Sequence, residues 1–101
     1  MSYAKQIIDI ASAIGEEAGV LASLEKERSE WIRPERNCVA VGRTRYYVVR
    51  KDGTVTPGLE GIQREALKLH DEQIFKSRSR LEGLRFKLAN LGKLTQEGGA
   101  A

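Results

Sequence analysis

Two apolar seams, each stepping by three and four residues and separated by a short β-branched stretch, leave this chain few folds. The first seam is Ile7, Ile10, Ile14, Leu21, Leu24 and Trp31. These positions share one stripe of a helix at heptad spacing. Glu17 and Arg28 occupy its two vacant places, where polar side chains fix register or lie at a wet edge. The spacing predicts a helix from about Tyr3 to Ile32, ended by Pro34, because the residue before a proline is driven out of the helical region. The second seam is Leu67, His70, Ile74, Ser77, Leu81, Leu84, Leu88 and Leu91, broadened by Ile62, Leu69 and Phe86. It predicts a helix from about Leu59 to Leu91, with Gly92 as its stop.

Between the seams the pattern changes period. Val39-Ala40-Val41 and Tyr46-Tyr47-Val48-Val49 are rich in β-formers. Thr54-Val55-Thr56 is a candidate third strand. Asp52-Gly53 is a strong turn signal, Gly42-Arg43 a weaker one. Pro57-Gly58 closes the segment. The expected fold is α+β and mostly helical: two long antiparallel helices joined by a short β-hairpin or three-stranded meander. Residues 1–92 form a single helix–β-meander–helix domain, and 93–101 a flexible C-terminal tail.

A chain of 101 residues buries only roughly 60–65% of its unfolded surface, so the core is thin. One helical hairpin leaves much of each stripe uncovered, and a second copy is the expected cover, as a dimer or higher oligomer. Ala11, Gly15, Gly19 and Ser23 recur every four residues on the first helix. Glycine inside a helix costs about 1 kcal/mol relative to alanine, and close approach of another backbone offsets that cost. These four residues are therefore the candidate oligomer seam.

Charge is unevenly placed. Residues 1–31 carry three basic and six acidic groups, whereas residues 32–58 carry six basic and two acidic ones. Arg43, Arg45, Arg50 and Lys51 lie beside Tyr46 and Tyr47. These six are the candidate partner-binding residues, suited to an acidic protein surface. Basic groups interleaved with aromatics also suit single-stranded nucleic acid, and a β-ribbon also fits a major groove.

Catalytic constellations are missing. A nucleophile, a base and an orienter are needed together, and the chain has one histidine and one cysteine. His70 sits on a seam, where a histidine making one hydrogen bond is the ordinary reading, and Cys38 begins a strand. One of each does not build a typical zinc site. Gly58-Leu59-Glu60-Gly61 is too short for a phosphate loop. No enzyme activity, metal or cofactor is expected. A single cysteine excludes an internal disulfide and favours a reducing compartment. With no leader-like start and no long apolar run, the expected location is the cytoplasm, with no membrane partner. The leading functional reading is a non-catalytic homo-oligomeric interaction protein (adaptor, assembly factor or inhibitor) with a basic β-tip. The alternative is a nucleic-acid-binding protein using the same meander. A third reading is a basic inter-subunit pocket for a small anion. The layout resembles that of prefoldin-type chaperone subunits, in which β parts assemble the oligomer and helix ends hold clients; the likeness is one of layout, and no motif carries it.

Overall fold

In the computed structural model, which describes residues 3–99 and side chains through Leu94, the element order is α1 (Tyr3–Glu30), β1 (Cys38–Val41), β2 (Thr44–Tyr47) and α2 (Glu60–Gly99). The architecture is the expected one: two long helices joined by an antiparallel β-hairpin. The chain forms two compact units, 1–22 with 75–101 and 23–74. Each unit combines a stretch of both helices, early α1 with late α2 and late α1 with early α2, which is the antiparallel sense.

The seam positions are the ones withdrawn from solvent. On α1, Ile7, Ile10, Ile14, Glu17, Leu21, Leu24 and Arg28 are half-buried, as is Trp31 just beyond. On α2, Leu67, His70, Leu84, Leu88 and Leu91 are half-buried, while Ile74, Ser77 and Leu81 are buried. The two charged seam residues meet partners on the facing helix. In unit 1, Glu17 pairs with Arg80. In unit 2, the Arg28 Nε donates to Asp71 Oδ1 at 2.6 Å. A polar pair at a heptad position selects one register among several that apolar side chains alone would tolerate.

α1 ends two residues before the expected boundary. The Trp31 and Ile32 amides donate to the Arg28 and Ser29 carbonyls, both at 3.1 Å and both three residues back, which tightens the last turn. The Gln63 side chain donates to the Trp31 carbonyl at 2.9 Å, fastening that end to α2. At the start of α2, the Glu60 carboxylate accepts from the Gly58 amide at 2.8 Å and places negative charge at the positive helix end. The expected stop at Gly92 is not taken, and α2 runs on to Gly99. A C-terminal glycine ends a helix by turning left-handed. Gly92 is not among the positive-φ glycines, and Lys93-Leu94 after it are good helix formers. Of the expected tail, residues 95–101 have side chains outside the described set.

Between the helices, β1 and β2 pair antiparallel in the register Cys38↔Tyr47, Val39↔Tyr46, Ala40↔Arg45 and Val41↔Thr44. Gly42 takes φ +63° in the two-residue turn, the freedom that a type II′ hairpin demands at its first central position. The second predicted turn also forms, with Gly53 at φ +87°. Its return segment makes a single bridge, Val49↔Val55, rather than a third strand. The ladder ends because the chain turns away at Pro57-Gly58: the Leu59 amide donates to the Thr56 carbonyl at 3.0 Å, and Gly58 takes φ +92°, as the third residue of such a turn requires.

A hydrophobic cluster lies at the base of this hairpin. Val48, Val49 and Leu59 are buried together, with Trp31 and Val39 packed on them. In unit 1, Leu81 is buried, and about one helical turn before it Ser77 is wholly enclosed with no hydrogen-bond partner for its hydroxyl. An unsatisfied buried hydroxyl costs about 1–3 kcal/mol. Leu81→Ala is therefore expected to lower unfolding free energy by about 2–5 kcal/mol, while Ser77→Ala leaves it unchanged or raises it; urea denaturation of both variants checks the contrast.

Candidate functional site

The partner-binding residues chosen from sequence fall on two separate turns and the strand between them. Arg43 occupies the β1–β2 turn. Arg45, Tyr46 and Tyr47 follow on β2 and are all exposed. Strand alternation puts Arg45 and Tyr47 on one face and Tyr46 on the other. Neither Arg43 nor Arg45 makes a hydrogen bond or ion pair among the described residues, so both guanidinium groups are available.

Arg50 and Lys51 are further along, past the buried Val48 and Val49. From Thr44 to Arg50 an extended chain spans about 20 Å, so these residues belong to the second turn rather than to the hairpin end. Arg50 is also engaged: its Nε donates to Thr54 Oγ1 at 2.9 Å. Thr54 in turn donates through its hydroxyl and its amide to Asp52 Oδ1, at 2.6 and 2.9 Å. The basic segment therefore divides into an available pair, Arg43 and Arg45, and a turn in which Arg50 is tied into a network beside an acid.

Two features of this region escaped the sequence reading. One is an open groove of about 380 Å³ lined by Val41, Tyr46, Thr56, Pro57, Gly58 and Leu59. It gives the Tyr46 face an apolar floor, with Val41 57% exposed at its rim. The alternation of Val39 and Val41 opposite Tyr46 is the signal that would have marked it. The other is Arg36, exposed just ahead of β1 and likewise without a bond among the described residues. A second groove, of about 250 Å³, is lined by Leu21, Arg78, Leu81, Glu82 and Arg85; its mixed charge does not single out an anion.

On α1, Ala11, Gly15, Gly19 and Ser23 are all exposed. A Cβ added at Gly15 or Gly19 would meet nothing within 4 Å. Packing within the chain therefore does not account for either glycine. Three of the four lie in unit 1, and Ser23 opens unit 2. Large apolar side chains on the helices also face out, with Ile8 64%, Phe75 72% and Phe86 68% exposed.

Little in the described residues points to reaction chemistry. His70 is half-buried on its seam, and its Nδ1 lacks the hydrogen-bond partner that a seam histidine was expected to find. Cys38 is exposed and free. Among the described residues, no three His, Cys, Asp or Glu side chains gather in a way that would hold a metal ion, and no helix is long and apolar enough to cross a membrane.

The Thr54 hydroxyl, then the Thr54 amide, and to a smaller extent the Arg50 charge, hold the Asp52 carboxyl below its ordinary value of 3.8. Because the folded value is the lower one, this turn's contribution to stability is fully present above pH 3.8 and disappears as pH falls through the folded value. A carbon-detected NMR titration of the Asp52 carboxyl is expected to give a midpoint below 3.8, and a midpoint at or above it would contradict the network.

Compared with known proteins, the chain matches no family model, no curated sequence and no solved structure.

Proposed function

We propose that the protein is a non-catalytic interaction protein that self-associates through its outer helix faces and presents the β1–β2 hairpin to an acidic protein surface. The observation that carries this reading is the hairpin end itself. It holds two arginines without internal partners, two tyrosines 44% and 46% exposed, and an apolar groove beside them. Exposed aromatic and arginine side chains are the residue types that anchor interfaces. Positive charge steers an acidic partner into contact, and the groove accepts the apolar part of that contact. A solvated strand edge kept soluble by arginine accounts for the charge but not for Val41, Tyr46 and the groove together.

Self-association is supported by what the helices leave uncovered. The apolar side chains buried among the described residues are few, whereas Ile8, Phe75 and Phe86 are mostly exposed. The Ala11, Gly15, Gly19 and Ser23 stripe supplies a flat path for a second backbone. Closed two-fold dimers are the commonest solution.

Arg43→Ala/Arg45→Ala is expected to abolish binding to immobilised poly-glutamate while leaving the helical circular dichroism unchanged. If the wild type prefers a single-stranded DNA oligonucleotide, with affinity falling steeply in salt by counterion release, the nucleic-acid reading replaces this one. Gly15→Leu and Gly19→Leu separate the seam from a solvated face. Each favours the helix by somewhat less than about 1 kcal/mol, yet each is expected to lower the mass found by light scattering with gel filtration. An unchanged mass with a raised melting temperature would remove the stripe from the interface.

A further inference from the structure

We infer that the hairpin takes its partner as an added strand: the outer edge of β1 binds an extended segment that alternates acidic and apolar residues. Strand addition here presupposes the hairpin as recognition surface, as proposed above, and specifies how the partner is held.

The register decides which backbone groups face out. The Val48 amide donates to the Asn37 carbonyl at 2.8 Å, so residues 37 and 48 form a hydrogen-bonded pair in the same register as Val39↔Tyr46 and Val41↔Thr44. In an antiparallel pair such positions alternate with non-bonded ones. The amide and carbonyl groups of Cys38 and Ala40 therefore point away from β2. The sheet has only two strands, and no strand among the described residues lies on that side. The far edge of β2 is partly taken, because Thr56 Oγ1 donates to the Tyr47 carbonyl and the Thr56 amide to the Val48 carbonyl. Among the described residues, β1 offers the clearer edge.

Charge selects the occupant. Arg36 and Arg43 stand at the two ends of β1. Arg45 is directly opposite Ala40 on the same face. An added strand would lie two strand spacings, about 10 Å, from β2. The Ala40 methyl is small, so the Arg45 side chain has a path across it toward the newcomer. A second copy pairing through its own β1 would bring six arginines together, and facing like charges destabilise a sheet. An acidic segment neutralises them instead. The two faces differ. Residues opposite Cys38 and Ala40 would meet Arg45, which favours Asp or Glu. Their neighbours would lie beside Val39, Val41 and the groove, which favours apolar side chains. Backbone pairing supplies affinity and alternate side chains supply selectivity, as in other strand-addition complexes.

The probe is a fluorescein-labelled Glu-Val-Glu-Val-Glu-Val-Glu peptide, with its binding followed by anisotropy. Its glutamates are the residues whose amides would face β1. N-methylation of the central glutamates is expected to weaken binding at least about tenfold, while N-methylation of the central valines leaves it within about twofold. On the protein, Ala40→Pro removes an outward amide that the β1–β2 ladder does not use and is expected to cost at least about tenfold. Circular dichroism should be unchanged; if Ala40→Pro does disturb the hairpin, the peptide pair still decides. Loss on Arg43→Ala/Arg45→Ala without any effect of methylation position would overturn strand addition and leave the basic-tip reading standing. Failure of the unmodified peptide to bind at all would also overturn it, as would an Ala40→Pro protein of reduced mass, since that would place a second copy on the edge.

Discussion

Val48 and Val49 hold the hairpin by its base, and much else follows from that anchorage. Adjacent residues of a strand point to opposite faces. Both of these are buried, at 1% and 2% exposure, so the chain is covered on two sides at this one place. Trp31 and Val39 pack on the cluster, Leu59 completes it, and the Glu35 amide donates to the Val49 carbonyl at 2.9 Å. Glu35 adopts φ +56° to do so, a conformation uncommon for a residue with a side chain. A short two-stranded ribbon is marginal in water. Fixed at its root, with Val39 packed on the cluster, the ribbon exposes the other three residues of β1 and all four of β2.

The helices obey a different economy. Their seams are thin, and polar residues interrupt them at Glu17, Arg28, His70 and Ser77. Arg80 and Asp71, the α2 members of the two pairs, stand largely in solvent, each at 58% exposure, so Glu17–Arg80 and Arg28–Asp71 matter for alignment more than for stability. Most of the seam on either helix is only half-buried. In each unit two helical stretches have no third element to cover the seam between them, which is the physical ground for the self-association proposed above.

The helical part of the fold was legible because period is a global property of a segment. Every residue stepping by three and four along the two seams is withdrawn from solvent, whereas Ile62, Leu69 and Phe86, expected to broaden the second stripe, lie off its axis and are exposed; Pro34 marked the exit from α1 to within a few residues. The errors are local. Gly92 was given the role of a stop, although a glycine stops a helix only when the backbone after it turns left-handed. Thr54-Val55-Thr56 has strand composition, but the turn at Pro57-Gly58 leaves it one bridge long. The candidate residues were legible as a list, but their arrangement was not. The sequence marks Arg43, Arg45, Arg50 and Lys51 alike, whereas the fold sends the first two to the hairpin end and ties Arg50 to Thr54. Which backbone groups of β1 face outward depends on hairpin register, and composition carries no trace of register.

The turn at Gly42-Arg43 thereby acquires an importance beyond reversing the chain. Its length of two residues sets a parity. One residue more or fewer, with β2 anchored as it is, would slide β1 by a single step, and every side chain of that strand would change face. Val39 and Val41 would then turn their backbone outward, and the Ala40 methyl would leave the face it shares with Arg45. A substitution at Arg43 leaves that parity intact and one at Gly42 meets only the demand for a positive φ, whereas a change of loop length changes which backbone groups β1 turns outward.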